Sequence, residues 1–521
     1  MSRLKRHFFG ATVDASPSPA CPELRPYQAA AVAAVRERFA AGDRATLVVL
    51  PTGTGKTVVF AEVARRVVAK GRRALVLAHR RELLDQAIGK LAATGVRAEL
   101  EQGPARAGDG PVVVASVATL RGARLASWRP DAFALVIVDE AHHATAASYG
   151  AILDHFAPAR VLGVTATPDR ADGAGLGAVF ASVAYRYDVE AAIRDGWLAP
   201  IRGRRINLEG VDLDAVRTVA GDLDRTELAT VMAAPAVVAA SAAAIVAEAG
   251  ARPCVAFTVD VTHAEALAAA INALRPGAAR AVSGRSSADD RAGAAADLAA
   301  GRVQIVCNAA LWVEGFDCPT VAAVAIARPT KSRGLFAQMV GRGTRLAPGK
   351  VDCLVIDLAG VTRRHRLATA ADVLAGDLPA DVAALVLATT AAPGGADILE
   401  ALADARRRLD PATPEAALRW LAEDVADLLQ VEIAPGAGGD GGSATPAQRR
   451  ALDAWGLDEI PPALTRGQAS RILDVLERRR VARLASWRMV RLLRRFGVTG
   501  AASLTFDAAR VQIDHLLKRC R

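Results

Sequence analysis

Gly53 and Gly55 precede Lys56 and Thr57 in the run Pro51-Thr52-Gly53-Thr54-Gly55-Lys56-Thr57, directly behind the apolar stretch Leu47–Leu50. Glycines at that spacing let backbone N–H groups turn inward around phosphate oxygens. The helix predicted from Val58 to Val68 adds the positive end of its dipole. In such a cradle, lined by Thr52 and Thr54, Lys56 would reach the β- and γ-phosphates of a nucleoside triphosphate, and the Thr57 hydroxyl would ligate Mg2+. The match is to the G-x-G-K-T core only, because Leu50 stands where the first glycine of the full pattern would be. A second constellation follows in the order such chemistry requires. Leu135-Val136-Ile137-Val138 is an apolar run that ends in Asp139-Glu140-Ala141-His142. Asp139, at the end of a strand beside the phosphate loop, is placed to hold Mg2+, and Glu140 to orient and deprotonate an attacking water. His142 reads as a relay between that site and a moving partner, and His143 as ordinary surface.

These residues need strands to hold them, and the chain supplies two sets. Thr46–Leu50, Ala74–Ala78, Val112–Ala115, Leu135–Val138 and Arg160–Val164 are short β-rich apolar runs with helical patterns between them. Cys254–Thr258, Ala279–Val282, Val303–Cys307, Val321–Ile326 and Cys353–Ile356 repeat the arrangement. Runs that are apolar throughout predict parallel strands buried on both faces. The expected class is α/β: two tandem parallel-sheet domains, then a mostly α-helical C-terminal region. The expected divisions are a leader over 1–20, a first domain over 21–199 and a connector over 200–249. A second domain over 250–365, helices and a Gly-rich linker over 366–443 and a basic repeat over 444–521 complete the chain.

A chain of 521 residues is too long for one compact core, and 52% hydrophobic residues exclude wholesale disorder. The net charge is +10, and residues 444–521 hold 16 basic against 7 acidic side chains, so most of it sits in the tail. A basic tail on a near-neutral body implies a polyanionic partner. The tail also repeats itself. Ala444-Thr445, Leu452, Gly456, Leu464-Thr465, Ala469 and Asp474 recur as Ala485-Ser486, Leu493, Gly497, Leu504-Thr505, Ala509 and Asp514. Each copy reads as a helix, a glycine stop, a turn and a second helix capped by Thr. A nucleic-acid clamp, a protein-docking module and a small structural bundle all fit that pattern. The six cysteines are scattered with no C-x-x-C pair, which fits a reducing, cytoplasmic setting and supports neither a zinc module nor a disulfide framework. Leu228–Ala247 is uncharged and long enough to span a membrane, but its alanines contribute little to insertion and predict a buried helix of a protein without membrane association.

Taken in order, the motifs form a larger set. Leu24-Arg25-Pro26-Tyr27-Gln28, the PTGTGKT loop, DEAH and Thr165-Ala166-Thr167-Pro168 are followed by two more. These are Glu314-Gly315-Phe316-Asp317 and Gln338-Met339-Val340-Gly341-Arg342-Gly343-Thr344-Arg345. From about Leu24 to Asp357 the chain resembles the superfamily 2 helicases, and within them the branch of type I/III restriction translocases and excision-repair helicases. The resemblance implies two RecA-like domains with ATP between them. It implies that Gln338, Arg342 and Arg345 complete the catalytic set, the arginines acting on charge that develops at the γ-phosphate. Arg25 and Gln28 would hold the nucleotide, with Gln28 at the adenine edge. Gly315 and Asp317 would sense the nucleotide across the cleft, and Thr165 and Thr167 would couple the domains. Nucleic acid would be gripped by His79, Arg80, Arg81, Ser116, Thr119 and Thr258 through its backbone, without base reading. The sequence departs from the family pattern at Trp312, at Ala309 and in the tail repeat. The leading expectation is an ATP-driven DNA helicase or translocase. An RNA helicase, a duplex-DNA motor subunit that never separates strands, and a DNA-binding module without catalysis are the competing ones.

Overall fold

The computed structural model describes residues 23–166, 176–309, 311–313, 316–361, 367–375, 378–409, 442–455, 457, 460–496, 498 and 500–519. The chain divides into two compact units. One comprises Met1–Leu378 with Leu387–Leu399, the other Pro379–Val386 with Glu400–Arg521.

The first unit contains two seven-stranded sheets, each the centre of a lobe. In the first lobe β1 (Ala45–Val49), β2 (Ala74–Ala78), β3 (Ala98–Glu101), β4 (Val112–Ser116), β5 (Leu135–Asp139), β6 (Arg160–Thr165) and β7 (Ser182–Arg186) are all parallel, in the order β3-β4-β2-β5-β6-β1-β7. Every residue of β1, β2, β4 and β5 is buried, so those strands read as predominantly apolar runs. The two strands the apolar pattern did not announce, β3 and β7, lie at the edges of the sheet and are half-exposed, with polar residues to match. Helices α1 (Pro26–Ala40), α2 (Lys56–Val68), α3 (Arg81–Ala93), α4 (Ala123–Ala126), α5 (Ala147–His155) and α6 (Val189–Arg194) belong to the same lobe.

The second lobe begins earlier than expected. β8 (Ile201–Asp212) falls in the stretch 200–249, read from the sequence as a connector, yet it pairs in parallel with a strand of the second sheet. Its Arg-rich sequence hides it. Arg204 pairs with Glu248 and Arg205 with Asp357, so the charges are matched inside the fold. A short ribbon follows, β9 (Thr218–Val219) with β10 (Asp222–Leu223). β11 (Cys254–Thr258), β12 (Ala279–Val282), β13 (Ile305–Ala309), β14 (Ala323–Ile326), β15 (Cys353–Val361) and β16 (Ala396–Asp397) complete the sheet in the order β12-β13-β11-β14-β15-β8-β16, with only β16 antiparallel to its neighbour. The uncharged stretch around 228–247 is not one helix but two, α7 (Arg225–Met232) and α8 (Pro235–Ala249), bent by 75°. No single described helix is long and apolar enough to cross a membrane. Val237, Ala242 and Ile245 of α8 join Leu208, Cys254, Ala256 and Ile356 in one core, which is how the supposed connector becomes part of the lobe.

α9 (Val261–Leu274) carries a buried histidine into that core. His263 is fully buried, its backbone N–H is held by the N-cap Asp260 at 2.8 Å, and burial pushes its imidazole pKa down to about 4. The unfolded chain therefore binds the proton first as pH falls from about 6.5 to 4, and the neutral-histidine contribution to stability is lost across that window. At about 1.4 kcal/mol per pKa unit the cost is about 3 kcal/mol. Chemical denaturation of the wild type and of His263→Gln at several pH values checks this: the difference between the two stability curves is expected to open below pH 6.5. Parallel curves down to pH 4 would remove His263 as the cause.

After α10 (Ala288–Ala299), α11 (Arg333–Val340) and α12 (Ala370–Ala375), helices α13 (Ala380–Ala391) and α14 (Ile398–Leu409) lead to the tail. There α15 (Pro446–Ala454) and α16 (Arg466–Val481) form one pair, and α17 (Trp487–Arg495) and α18 (Phe506–Arg519) a second. The two pairs are built alike. Ser443 bridges Thr465 as Leu484 bridges Thr505, and the N–H of Ala444 bonds Leu464 O as that of Ala485 bonds Leu504 O. Thr445 and Thr465 close their helices with capping boxes through Gln448 and Gln468, and the Ser486 and Thr505 hydroxyls accept the first free N–H groups of the second pair. Ala469 and Ala509 are both fully buried at equivalent points, where a larger side chain would push the pair apart.

Candidate active site

Sheet order decides the geometry of the site. β1, which feeds the phosphate loop, and β5, which ends in Asp139, flank β6, which ends in Thr165. All three motifs therefore emerge from the same C-terminal edge of the sheet, where open α/β sheets bind ligands. Leu50 N–H donates to Thr165 O at 3.0 Å, seating the loop on its neighbour. Gly53 and Gly55 take φ of 91° and 84°, values that L-residues avoid. A side chain at Gly55 would also meet Gln28 Nε2 at 2.7 Å.

Inside the loop, Lys56 Nζ lies 3.4 Å from Glu140 Oε1, with both side chains nearly buried. Glu140 has φ of 49°, the left-handed region that a residue of its kind occupies at a cost of the order of 1 kcal/mol. Its backbone N–H is held by Asp139 Oδ1 at 3.0 Å, and its Oε2 is buried without a hydrogen-bond partner. His142 Nδ1 sits 3.5 Å from that oxygen and 3.3 Å from Thr165 Oγ1. The carboxylate, the histidine and the threonine expected to couple the lobes are thus in one chain of contacts. Thr167 and Gly315 lie outside the described residues, as does Glu314. The donor set fits a hard divalent cation: the Thr57 hydroxyl and the Asp139 carboxylate are oxygens, and the orphaned Glu140 Oε2 is an acceptor for a water beside them.

The second lobe closes onto this loop. α11 carries Gln338, which is buried, and ends at Gly341. A Cβ at Gly341 would stand 2.4 Å from Thr52 Cβ, and one at Gly53 would stand 3.2 Å from Arg345 Cγ. The Gly-Arg-Gly-Thr-Arg run therefore packs directly on the phosphate loop, and Thr344 O accepts the N–H of Ala199 at 2.7 Å. The guanidinium groups of Arg342 and Arg345 both donate to Phe316 O at 2.9 Å, and Arg345 Nη1 is 2.7 Å from Asp317 Oδ1. Burial pushes the Arg345 pKa down, with Asp317 opposing the shift. Lys350, which sequence reasoning passed over, ties the two loops together. Its ammonium donates to the carbonyls of Pro319, Val321, Gly343 and Arg345, bridging the segment after Asp317 to the arginine run.

Gln28 is drawn into the loop itself. Its Nε2 donates to Thr54 O at 2.9 Å and its Oε1 accepts the N–H of Arg25 at 3.0 Å. Tyr27 OH donates to the same carbonyl at 2.7 Å, and its ring stacks on Tyr187 with centroids 4.7 Å apart. Trp197 lies edge-on to Tyr27 and carries the Arg25 guanidinium 4.8 Å over its ring. Tyr187 and Trp197 were not foreseen. The signal was their rarity: aromatic residues are only 4% of the chain, and three of them meet here.

The expected nucleic-acid grips fall at or just beyond the C-terminal ends of β2, β4 and β11, but they differ in what they offer. Arg81 is exposed and tied to Asp85 and Gln102. Arg80 reaches Leu311 O of the other lobe at 3.4 Å, and the His79 ring packs against His143. Thr119 Oγ1 accepts the N–H of Gly103 at 3.2 Å. Ser116 is 4% exposed and Thr258 only 1%, and the Thr258 hydroxyl is turned to the carbonyls of Asp260 and Asn308. In this structure those two close strand ends rather than face solvent. Trp312, one of the departures, stacks on Phe316 at 3.9 Å with an interplanar angle of 7° and is buried, which fastens the loop whose Phe316 carbonyl holds both arginines. Ala309, the other, is the buried last residue of β13.

Comparison with known proteins places this arrangement. The family described as "Type III restriction enzyme, res subunit" matches residues 22–170. A Saccharomyces cerevisiae protein with the provisional name ATP-dependent helicase IRC3 is 31% identical over 66% of this chain and 52% of its own length. A Schizosaccharomyces pombe protein, provisionally named mitochondrial ATP-dependent helicase irc3, is 32% identical over 66% of this chain and 59% of its own. Among solved structures, a fragment assigned to the HsdR subunit of a type I restriction enzyme from Vibrio vulnificus YJ016 superposes with a TM-score of 0.53. It is 26% identical, over 66% of each chain. These likenesses support a superfamily 2 helicase core of the restriction-enzyme-like branch. The chain spans a little over half the length of the curated relatives it matches. The two sheets are the centres of two RecA-like domains, and the contact of Gly341 and Arg345 with the phosphate loop is the seam between them.

Proposed function

We propose that this chain is an ATP-driven DNA translocase that couples ATP hydrolysis to movement on DNA. The observation that carries the reading is the meeting of Lys56 and Glu140 on one side of the seam with Arg342 and Arg345 on the other. Lys56 and the N–H groups of residues 53–57 would hold the triphosphate, and Thr57 and Asp139 would hold Mg2+, which neutralises phosphate charge when bound. Lys56 neutralises Glu140 while no phosphate is present. Once the ammonium turns to phosphate, the Glu140 carboxylate is free to orient a water and take its proton. Arg342 and Arg345 rest on Phe316 O, Arg345 also on Asp317, and would exchange these oxygens for phosphate oxygen as the lobes close. Glu140, His142 and Thr165 then report the state of the phosphates to the edge of the sheet where nucleic acid would lie.

DNA rather than RNA is favoured by the Asp-Glu-Ala-His and Glu-Gly-Phe-Asp motifs. The name of the HsdR relative ties that protein to a restriction enzyme. ATP turnover should rise severalfold with DNA and less with RNA of the same sequence. Strand-displacement and triplex-displacement assays run side by side separate unwinding from translocation along intact duplex. Turnover indifferent to every nucleic acid offered would end the motor reading.

A further inference from the structure

At the join of the two helix pairs in the tail lies a cavity of about 350 Å3, the lower end of the range for ligand sites. Its walls come from both copies of the repeat: Trp455 and Arg479 from the first, Trp487, Phe506 and Asp507 from the second, and Arg483 from the turn between them.

Three features of this cavity are unexplained by folding. Arg479 and Trp487 are 9% and 4% exposed. The Arg479 Nη2 donates to Ala485 O and Ala502 O, at 3.1 and 2.7 Å, but its Nε–H and the Trp487 indole N–H have no acceptor among the described residues. Two buried donors without partners in one cavity are costly, and an acceptor brought by a ligand removes the cost. The charge is also unopposed. Arg480 is matched by Glu477, but among the described residues Arg483 has no ion-pair partner, and desolvation is what lowers the Arg479 pKa. Among the described residues Asp507, exposed at the rim, is the single carboxylate lining the cavity.

The third feature is backbone strain. α16 ends in a Schellman turn, with Leu484 N–H on Arg479 O and Arg483 N–H on Arg480 O, and Arg483 takes the left-handed φ of 52°. Glycine is the low-strain residue at that position, and in the sequence a glycine, Gly456 or Gly497, closely follows each of α15 and α17. An arginine kept where glycine belongs points to a use for its side chain.

We propose that this seam binds one nucleotide of a single-stranded nucleic acid. Its phosphate lies against Arg479 and Arg483, and its base lies on the aromatic wall of Phe506 with Trp455 and Trp487. Cations beside aromatic faces are what a base-plus-phosphate ligand requires, and the 16 basic residues of the tail attract a polyanion from a distance. The proposal shares with the motor reading only the premise that nucleic acid is the partner.

The test uses the full chain without nucleotide, titrated with a short thymidine oligonucleotide and its abasic counterpart at several salt concentrations. Phe506→Ala, at a side chain 46% exposed, should weaken the thymidine oligomer about tenfold and leave the abasic one unchanged. Arg483→Gly relieves the backbone and so preserves the fold. It should weaken both ligands and lower the slope of log affinity against log salt by about one. Wild-type affinity and slope in both variants would overturn the proposal and leave an acidic protein segment as the occupant. ATP turnover at saturating DNA should stay at the wild-type level in both variants, so a failure here is distinguishable from a wild type that DNA does not stimulate at all.

Discussion

ATP turnover by Lys56→Ala protein is expected to fall at least about 100-fold, the scale on which loss of one preorganised charge at a reacting oxyanion is felt. The same change should also lower stability. The carboxylate of Glu140 is 6% exposed and its partner ammonium 10%, so truncating the lysine leaves a buried charge uncompensated. Breaking a buried pair from one side costs about 3 kcal/mol or more. Pairing the substitution with Glu140→Gln removes the stranded charge, and the double variant should recover most of the lost thermal stability while remaining inactive. Calorimetry and steady-state turnover on the single and double variants check both halves. An active Lys56→Ala enzyme would defeat the assignment of the phosphate loop, and an inactive one that melts with the wild type would mean that Lys56 and Glu140 do not depend on each other before nucleotide arrives.

The second large effect belongs to Arg345. Arg345→Ala should reduce kcat about 1,000-fold, in line with arginine fingers elsewhere, while KM for ATP moves less than about threefold. The reason for the split is that Arg345 rests on Phe316 O and Asp317 rather than in the phosphate cradle, so its contribution comes as the lobes close. Arg345→Lys should not restore the rate, because an ammonium lacks the planar pair of donors that spans two phosphate oxygens. Its aliphatic stem packs on Gly53, so a melting temperature is needed beside the kinetics. A kcat within threefold of wild type in a folded Arg345→Ala enzyme would place the transition-state charge elsewhere, with Arg342 the next residue to test.

The strands that hold the chemistry were legible because they are buried on both faces. Ala45–Val49 holds only Thr46 as a polar residue and Leu135–Asp139 only its terminal Asp139, so both runs stay predominantly apolar, and each delivers its motif at its C-terminal end. β8 was not legible: five of its twelve residues are charged, and the partners that neutralise Arg204 and Arg205 are Glu248 and Asp357, far away in sequence. Thr258 shows the limit in the other direction. The family resemblance implied a phosphate grip there, but whether a hydroxyl at a strand end faces solvent or a carbonyl depends on the neighbouring strand, here β13 through Asn308. Lys350 carries no motif, and four carbonyls converge on it only because two loops do.

Residue type, spacing and order within the chain were enough to determine the class of chemistry, since a glycine-rich loop, a strand-end carboxylate and paired arginines act through local geometry and charge that each segment carries with it. Tertiary structure alone decided which charges meet. Lys56 rests on Glu140, the arginines on Phe316, and the tail repeats enclose unpaired donors between them. Electrostatic and hydrogen-bond partners are chosen over a few ångströms in space, and the folded chain brings to that distance residues that lie tens to hundreds of positions apart.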